Sequence, residues 1–431
     1  MSAPDAGTLA AADHSHADHS HAHGHADVLA GVPFAMPAGV RNFALTLIGV
    51  GAALTGAGFA MGGEHATWRL WANLLIAAFF FTSIAVGGGV IMALMNVTKA
   101  GWGVAVRRIP EALTTYLPVA LLTMLAVGFF GMKELYEWSD PNIVAADHLL
   151  RHKSAILNPT WYFGSMVLVI GGWAALTGKM RGNSIAQDSD GNVGHTGQNI
   201  FLSVIFLIFF GLSMTLGALI WLMSLEPHWF STMFGVYQFA GAHKAGAAVC
   251  AIIASYLITR GHNKHANVNH LHNFGLMMFA FSTFWAYIWV SQFLLIWYAN
   301  IPEETGYYLL RHDGLWMALF ALNVILNWVI PFFALLPRPN KRNPKVLVPV
   351  AVVMLLGLWL DVYLQVMPAA THFASHHHKF EVHGPTLNAG DFGGVLLLGG
   401  VFVWVVMAML GKASLVPTKD PYLAESLHHE I

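Results

Sequence analysis

Charge and cysteine are scarce in this 431-residue sequence. Lys and Arg number 21, Asp and Glu 22, and there is one cysteine. Charged residues make up 10% of the chain, against about a quarter in a soluble protein. Most of the chain therefore lacks the surface that water requires. Cys250 alone excludes a disulfide within the chain, and one thiol cannot hold an iron–sulfur cluster. No CxxCH run is present for a c-type haem. A net charge of −1 argues against a nucleic-acid partner. What the chain has instead is hydrophobicity: 56% of residues are apolar and the mean hydropathy is +0.58.

The apolar residues come in blocks of about 20, the length that crosses a bilayer as a helix. In lipid a helix satisfies its own backbone hydrogen bonds, so each block reads as one span. Ten are expected, near 41–62, 72–96, 112–132, 160–178, 200–221, 235–259, 274–298, 315–335, 346–366 and 390–411. The fold class is all-α: a polytopic membrane protein of about ten transmembrane helices. The organisation divides into a disordered His-rich tail (1–40), the membrane domain (41–411) and a C-terminal tail (412–431). The first apolar block starts too far in to be a cleaved signal. With ten spans the termini share a side with loops 97–111, 179–199, 260–273 and 336–345. That side carries about 14 Lys and Arg and the other about 6. Both termini are therefore expected in the cytoplasm. The tail run "DHSHADHSHAHGH" reads as a disordered polar tail with weak, unselective metal affinity, and the run "THFASHHHKFEVH", expected in the loop after the ninth span, as a partner-facing surface. No metal site is expected in either.

Against this background the ionisable residues inside spans stand out. Lys244 lies about ten residues, or about 15 Å, into the sixth span, near the middle of a core about 30 Å thick. A lysine there costs several kcal/mol unless it is solvated or paired. His243 is adjacent and points about 100° away around the helix. Tyr237 and Gln238 lie towards one end of the span, and Ser255, Tyr256 and Thr259 towards the other. Acids are few: Asp361 in "LWLDVYLQV" and Asp391 opening the last span. Tyr287, Ser291 and Gln292 add polar groups in the seventh span. Glu111, in "VRRIPEAL", suits a helix start and also a proton entrance on the cytoplasmic side. These residues define a candidate proton path; the bland alternative is polar residues that join helices or form a structural ion pair. Only His243 lies deep enough to ligate a membrane haem, and such a haem normally needs two ligands, so none is expected to be bound here.

Four stretches, "TKAGWGVAVRRIPEAL" (98–113), "HKSAILNPTWYF" (152–163), "SLEPHWFSTMFGVYQFAG" (224–241) and "FWAYIWVSQFLLIWYANIPEETGYY" (284–308), together resemble the F subunit of bacterial alternative complex III, a quinol-oxidising respiratory complex. The resemblance covers about residues 40–411. It implies an NrfD-like membrane protein of two four-helix bundles plus flanking helices in the bacterial inner (plasma) membrane. It also implies scaffold and proton-path roles in a quinol:cytochrome c (electron acceptor) oxidoreductase, and a second quinone site in some members. The implied partners are an NrfD-like quinol-binding subunit, an iron–sulfur subunit and cytochrome c subunits. Haems and iron–sulfur clusters would then belong to those partners, menaquinone or another quinone to the complex, and no covalent cofactor to this chain. Carried over, "EPHW" is Glu226, Pro227, His228 and Trp229, and "PEET" is Pro302, Glu303, Glu304 and Thr305, both in outer loops. No quinol-binding motif carries over. Two rivals remain: a secondary transporter with a midplane His/Lys site, which Gly241 and Gly246 suit, and a purely structural membrane anchor.

Overall fold

A computed structural model describes residues 31–63, 66–312, 314–378 and 387–430, with 377 and 378 in backbone only. The His-rich part of the N-terminal tail, and residues 379–386 with the end of the second His-rich run, lie outside the described residues. Those described contain no strand, and ten helices are long and apolar enough to cross a membrane. They are α1 (Ala38–Met61), α2 (Ala66–Val97), α3 (Arg108–Leu135), α4 (Pro159–Asp190), α5 (Gly194–Trp221), α6 (Phe234–Thr259), α7 (Val268–Ala299), α8 (Leu315–Leu335), α9 (Pro344–His378) and α10 (Gly393–Leu410).

Helices α2 to α5 close into one four-helix bundle and α6 to α9 into a second. Helix α2 is the hub: nearly all buried, it packs on α6 and α9 of the other bundle. The α2–α6 crossing depends on glycine. A Cβ on Gly87 would lie 2.1 Å from the Ala242 carbonyl oxygen, and one on Gly246 would lie 2.6 Å from the Gly87 carbonyl carbon. Small residues let the two backbones touch, which is how helices gain packing energy in lipid. His243 and Lys244 therefore lie at the depth of this contact, on the helix that makes it, and face the second bundle. The flanking helices α1 and α10 pair with each other, and α10 leans on α2.

Several helices outrun their apolar blocks. Helix α4 was expected to end near 178 and continues to Asp190, where Gly191 at φ +68° caps it. Beyond the membrane-length run its buried residues Thr177, Met180, Ser184 and Gln187 keep helical spacing. Helix α9 likewise runs through 371–378, so the first part of "THFASHHHKFEVH" is helix rather than loop. Helix α3 breaks near Thr115–Tyr116, and Pro118 opens its long second half. The two ends of the described chain share one face: Leu415 N–H donates to the Val32 carbonyl (2.9 Å). The C-terminal segment is docked there, with Asp420 paired to Arg107 and Ser426 Oγ accepting from Ala105 N–H (2.9 Å). The opposite face carries three short helices, Pro141–Ala146, His148–Lys153 and Pro302–Leu309.

Candidate functional site

Two prolines open the backbone where side chains meet in the second bundle. Pro331 has no N–H for the Asn327 carbonyl four residues earlier. The helix relaxes into a π turn over Ile325–Val329, and Ser282 of α7 donates to that freed carbonyl (2.6 Å). Pro368 in α9 deprives the Leu364 carbonyl in the same way, and Arg311 Nε donates to it instead (2.8 Å). Turns of the π type recur at functional positions because they re-aim side chains.

The side chains so placed form a buried polar chain. Lys244 is fully buried; its Nζ donates to Asn327 Oδ1 (2.5 Å) and lies 4.0 Å from the Trp285 ring centroid. Asn327 Nδ2 donates to Asn323 Oδ1 (2.6 Å), and Asn323 Nδ2 donates to Asp361 Oδ1 (2.8 Å). Asp361 is 3% exposed and also accepts from the Tyr237 hydroxyl and from Gln365 Nε2 (3.2 Å). Gln238 Nε2 donates to Gln365 Oε1 (2.5 Å). An ammonium and a carboxylate are thus joined through two amides in a low-dielectric interior, where each charge needs the other.

The chain continues towards the face opposite the termini. Arg311, 1% exposed, donates through Nη2 to the Gln365 carbonyl (3.2 Å) and to Glu226 Oε1 (2.5 Å). Its guanidinium stacks over Tyr307, 3.5 Å from the ring centroid. A cavity of about 20 Å³, room for one water, is bordered by Tyr237, Arg311, Asn323, Asp361 and Gln365. Beyond Glu226 opens a vestibule of about 380 Å³ lined by Glu137, His228, Glu303 and His372. His228 Nε2 bonds Asp147 Oδ2 (2.7 Å). Hydrogen bonds from the Leu150 and Leu149 amides and from His228 hold the Asp147 carboxyl below its usual range. Burial pushes Glu137 up, His228 opposing and Asp147 adding to it.

Of the residues singled out in the sequence, Lys244, Asp361, Tyr237 and Gln238 meet here, and Glu226, His228 and Glu303 border the vestibule. The others lie elsewhere. His243 packs on Phe281 (centroids 3.7 Å apart), and its Nδ1 has no partner among the described residues. Asp391 is not a partner of Lys244: Arg69 binds it at both oxygens (2.6 and 2.8 Å) and Asn73 donates to it (2.8 Å), clamping α10 to α2. Tyr287 is 65% exposed on the outside of α7. Glu111 is held near the terminal face by Arg108 (2.7 Å) and Ser184 (2.8 Å), with no hydrogen-bonded link to Lys244. Glu304 does not line the vestibule. Residues not singled out complete the site: Asn323, Asn327, Gln365, Arg311, Ser282, Glu137 and His372. The signal for the first two was available, two amides four apart in an apolar run, the second four before a proline.

Among the described residues no group of three or more His, Cys, Asp or Glu side chains is placed to hold a metal ion. A separate crevice of about 370 Å³ between α1, α2, α6, α9 and α10 is walled by apolar atoms alone. No protein-family model matches the sequence, and no curated protein matches it.

Proposed function

We propose that this integral membrane protein carries a proton path from the middle of the bilayer to the face opposite its termini, as a subunit of a quinol-oxidising respiratory complex like alternative complex III. The observation that carries the path is the buried Lys244–Asp361 pair, bridged by Asn327 and Asn323 and continued to Glu226. The amides hold the two charges apart; an amide donates and accepts hydrogen bonds but has no labile proton to pass on at neutral pH. A proton therefore moves when the Lys244 ammonium leaves Asn327 for Asp361, or through a water in the small cavity beside Asp361. The Tyr237 hydroxyl and Gln365 orient the carboxylate for that transfer.

The complex is inferred from the resemblance, and the charge bias of the loops supports termini in the cytoplasm and a vestibule outside the bacterial inner membrane. In this reading the redox centres and the quinol site belong to partner subunits, which dock on the loop face. A structural anchor is the rival reading, favoured by the amide and the indole ring that already hold the Lys244 ammonium. Lys244→Met in the assembled complex separates them. Loss of proton coupling with intact assembly is expected; intact assembly with unchanged coupling would establish the anchor.

A further inference from the structure

We infer that Arg311 is a mobile counter-ion that gates the outer end of this path by alternating between Glu226 and Asp361. The inference rests on the proton-path reading above. Four buried or half-buried charges alternate in sign along the chain: Lys244, Asp361, Arg311 and Glu226. An arginine stays protonated throughout the working pH range, so it cannot relay a proton. Yet its guanidinium spans the connection between Gln365 and Glu226. The path is closed in this arrangement and opens when that group moves.

The geometry supplies both of its positions. Arg311 and Asp361 border the same water-sized cavity, while Glu226 borders the vestibule and Tyr307 borders both. The Tyr307 ring provides a flat support along which the guanidinium can slide. Its anchors on the Leu364 and Gln365 carbonyls lie on α9 within one turn of Asp361.

The exchange balances as follows. Arg311 swings off Glu226 along the Tyr307 ring, and a proton leaves the Asp361 carboxyl through the cavity water and is taken by the uncovered Glu226 oxygen. The new Asp361 carboxylate draws Arg311 across as Glu226 becomes neutral. Arg311 keeps all its protons. Its charge beside Asp361 then holds that group ionised and blocks the return. Glu226 passes its proton to the vestibule, where the facing ionisable groups are Glu137, Glu303, His228 with Asp147, and His372 with His376. The restored Glu226 carboxylate recaptures Arg311 once Lys244 again neutralises Asp361.

The test uses the assembled complex in liposomes with an internal pH-sensitive dye, reading the proton flux that quinol oxidation drives under a proton gradient imposed in either direction. Glu226→Gln is expected to lower flux about 100-fold, the scale of losing one positioned proton acceptor. Arg311→Gln is expected to keep downhill flux while abolishing the difference between the two directions. Flux insensitive to Lys244→Met sinks the path itself. Flux sensitive to Lys244→Met but unchanged in Glu226→Gln sinks only the gate. Because either variant can misfold, a density map of the wild-type chain at two pH values gives the second readout. Arg311 should contact Asp361 at acid pH and Glu226 at alkaline pH; a guanidinium fixed on Glu226 at both overturns the gate.

Discussion

Lys244 and Asp361 each depend on the other being charged. Removing one partner of a buried pair strands the other, at a cost of about 3–5 kcal/mol, whereas removing both is often neutral. Asp361→Asn should therefore lower the melting temperature of the detergent-solubilised protein strongly. Lys244→Met combined with Asp361→Asn should recover most of that loss and still conduct no protons. A double variant as unstable as Asp361→Asn alone would mean that the two residues are not coupled. Glu137 provides a residue-scale prediction outside the membrane. Burial raises its folded pKa, so the folded state is penalised as pH rises past the ordinary glutamate value of about 4.3. Glu137→Gln should remove that penalty, raising stability at neutral pH and flattening its pH dependence above about pH 4. Asp147 has the opposite sign: its lowered pKa gives stability that is present above about pH 4 and lost as pH falls through the folded value.

Helix α8 owes its use to an irregularity. With Pro331 in place the Asn327 carbonyl turns to Ser282 and the π turn sets the direction of Asn323 and Asn327. Pro331→Ala would restore an N–H for that carbonyl and favour a regular helix, since an interior proline costs about 3 kcal/mol. Hydrogen exchange in α8 should slow while the Asn-bridged link to Lys244 is lost; a variant with slower exchange and unchanged proton flux would show that the π turn does not serve the path. The sequence announced the span, because its apolar length did so, and it placed Pro331. It did not announce where the freed carbonyl would go, because Ser282 is 45 residues away. The long α4 carries its own sequence signal: its buried residues keep helical period after hydropathy falls.

Across the whole molecule, the Gly87–Gly246 contact joins the bundles and sets the depth of Lys244. A Cβ at Gly246 would meet backbone atoms of Gly87 and Gly88 at 2.6–3.0 Å, and backbone cannot yield as a side chain can. Gly246→Val should destabilise the chain by about 3 kcal/mol or more, read as a lower melting temperature and a lost Lys244 environment, for example altered Trp285 fluorescence. Wild-type melting in that variant would show that the bundles are held elsewhere.

The sequence by itself determined the number of spans, the shared side of the termini and a lysine deep in the sixth span. Each of these is a local property, set by runs of apolar residues and by counting along a helix. Only the tertiary structure decided that Asp361 rather than Asp391 answers Lys244, that two asparagines stand between them, and that Arg311 holds Glu226. Asp391 and Asp361 read alike along the chain. Arg69 sits beside one and Asn323 beside the other because of which helix faces are pressed together, and those partners lie 322 and 38 residues away along the chain.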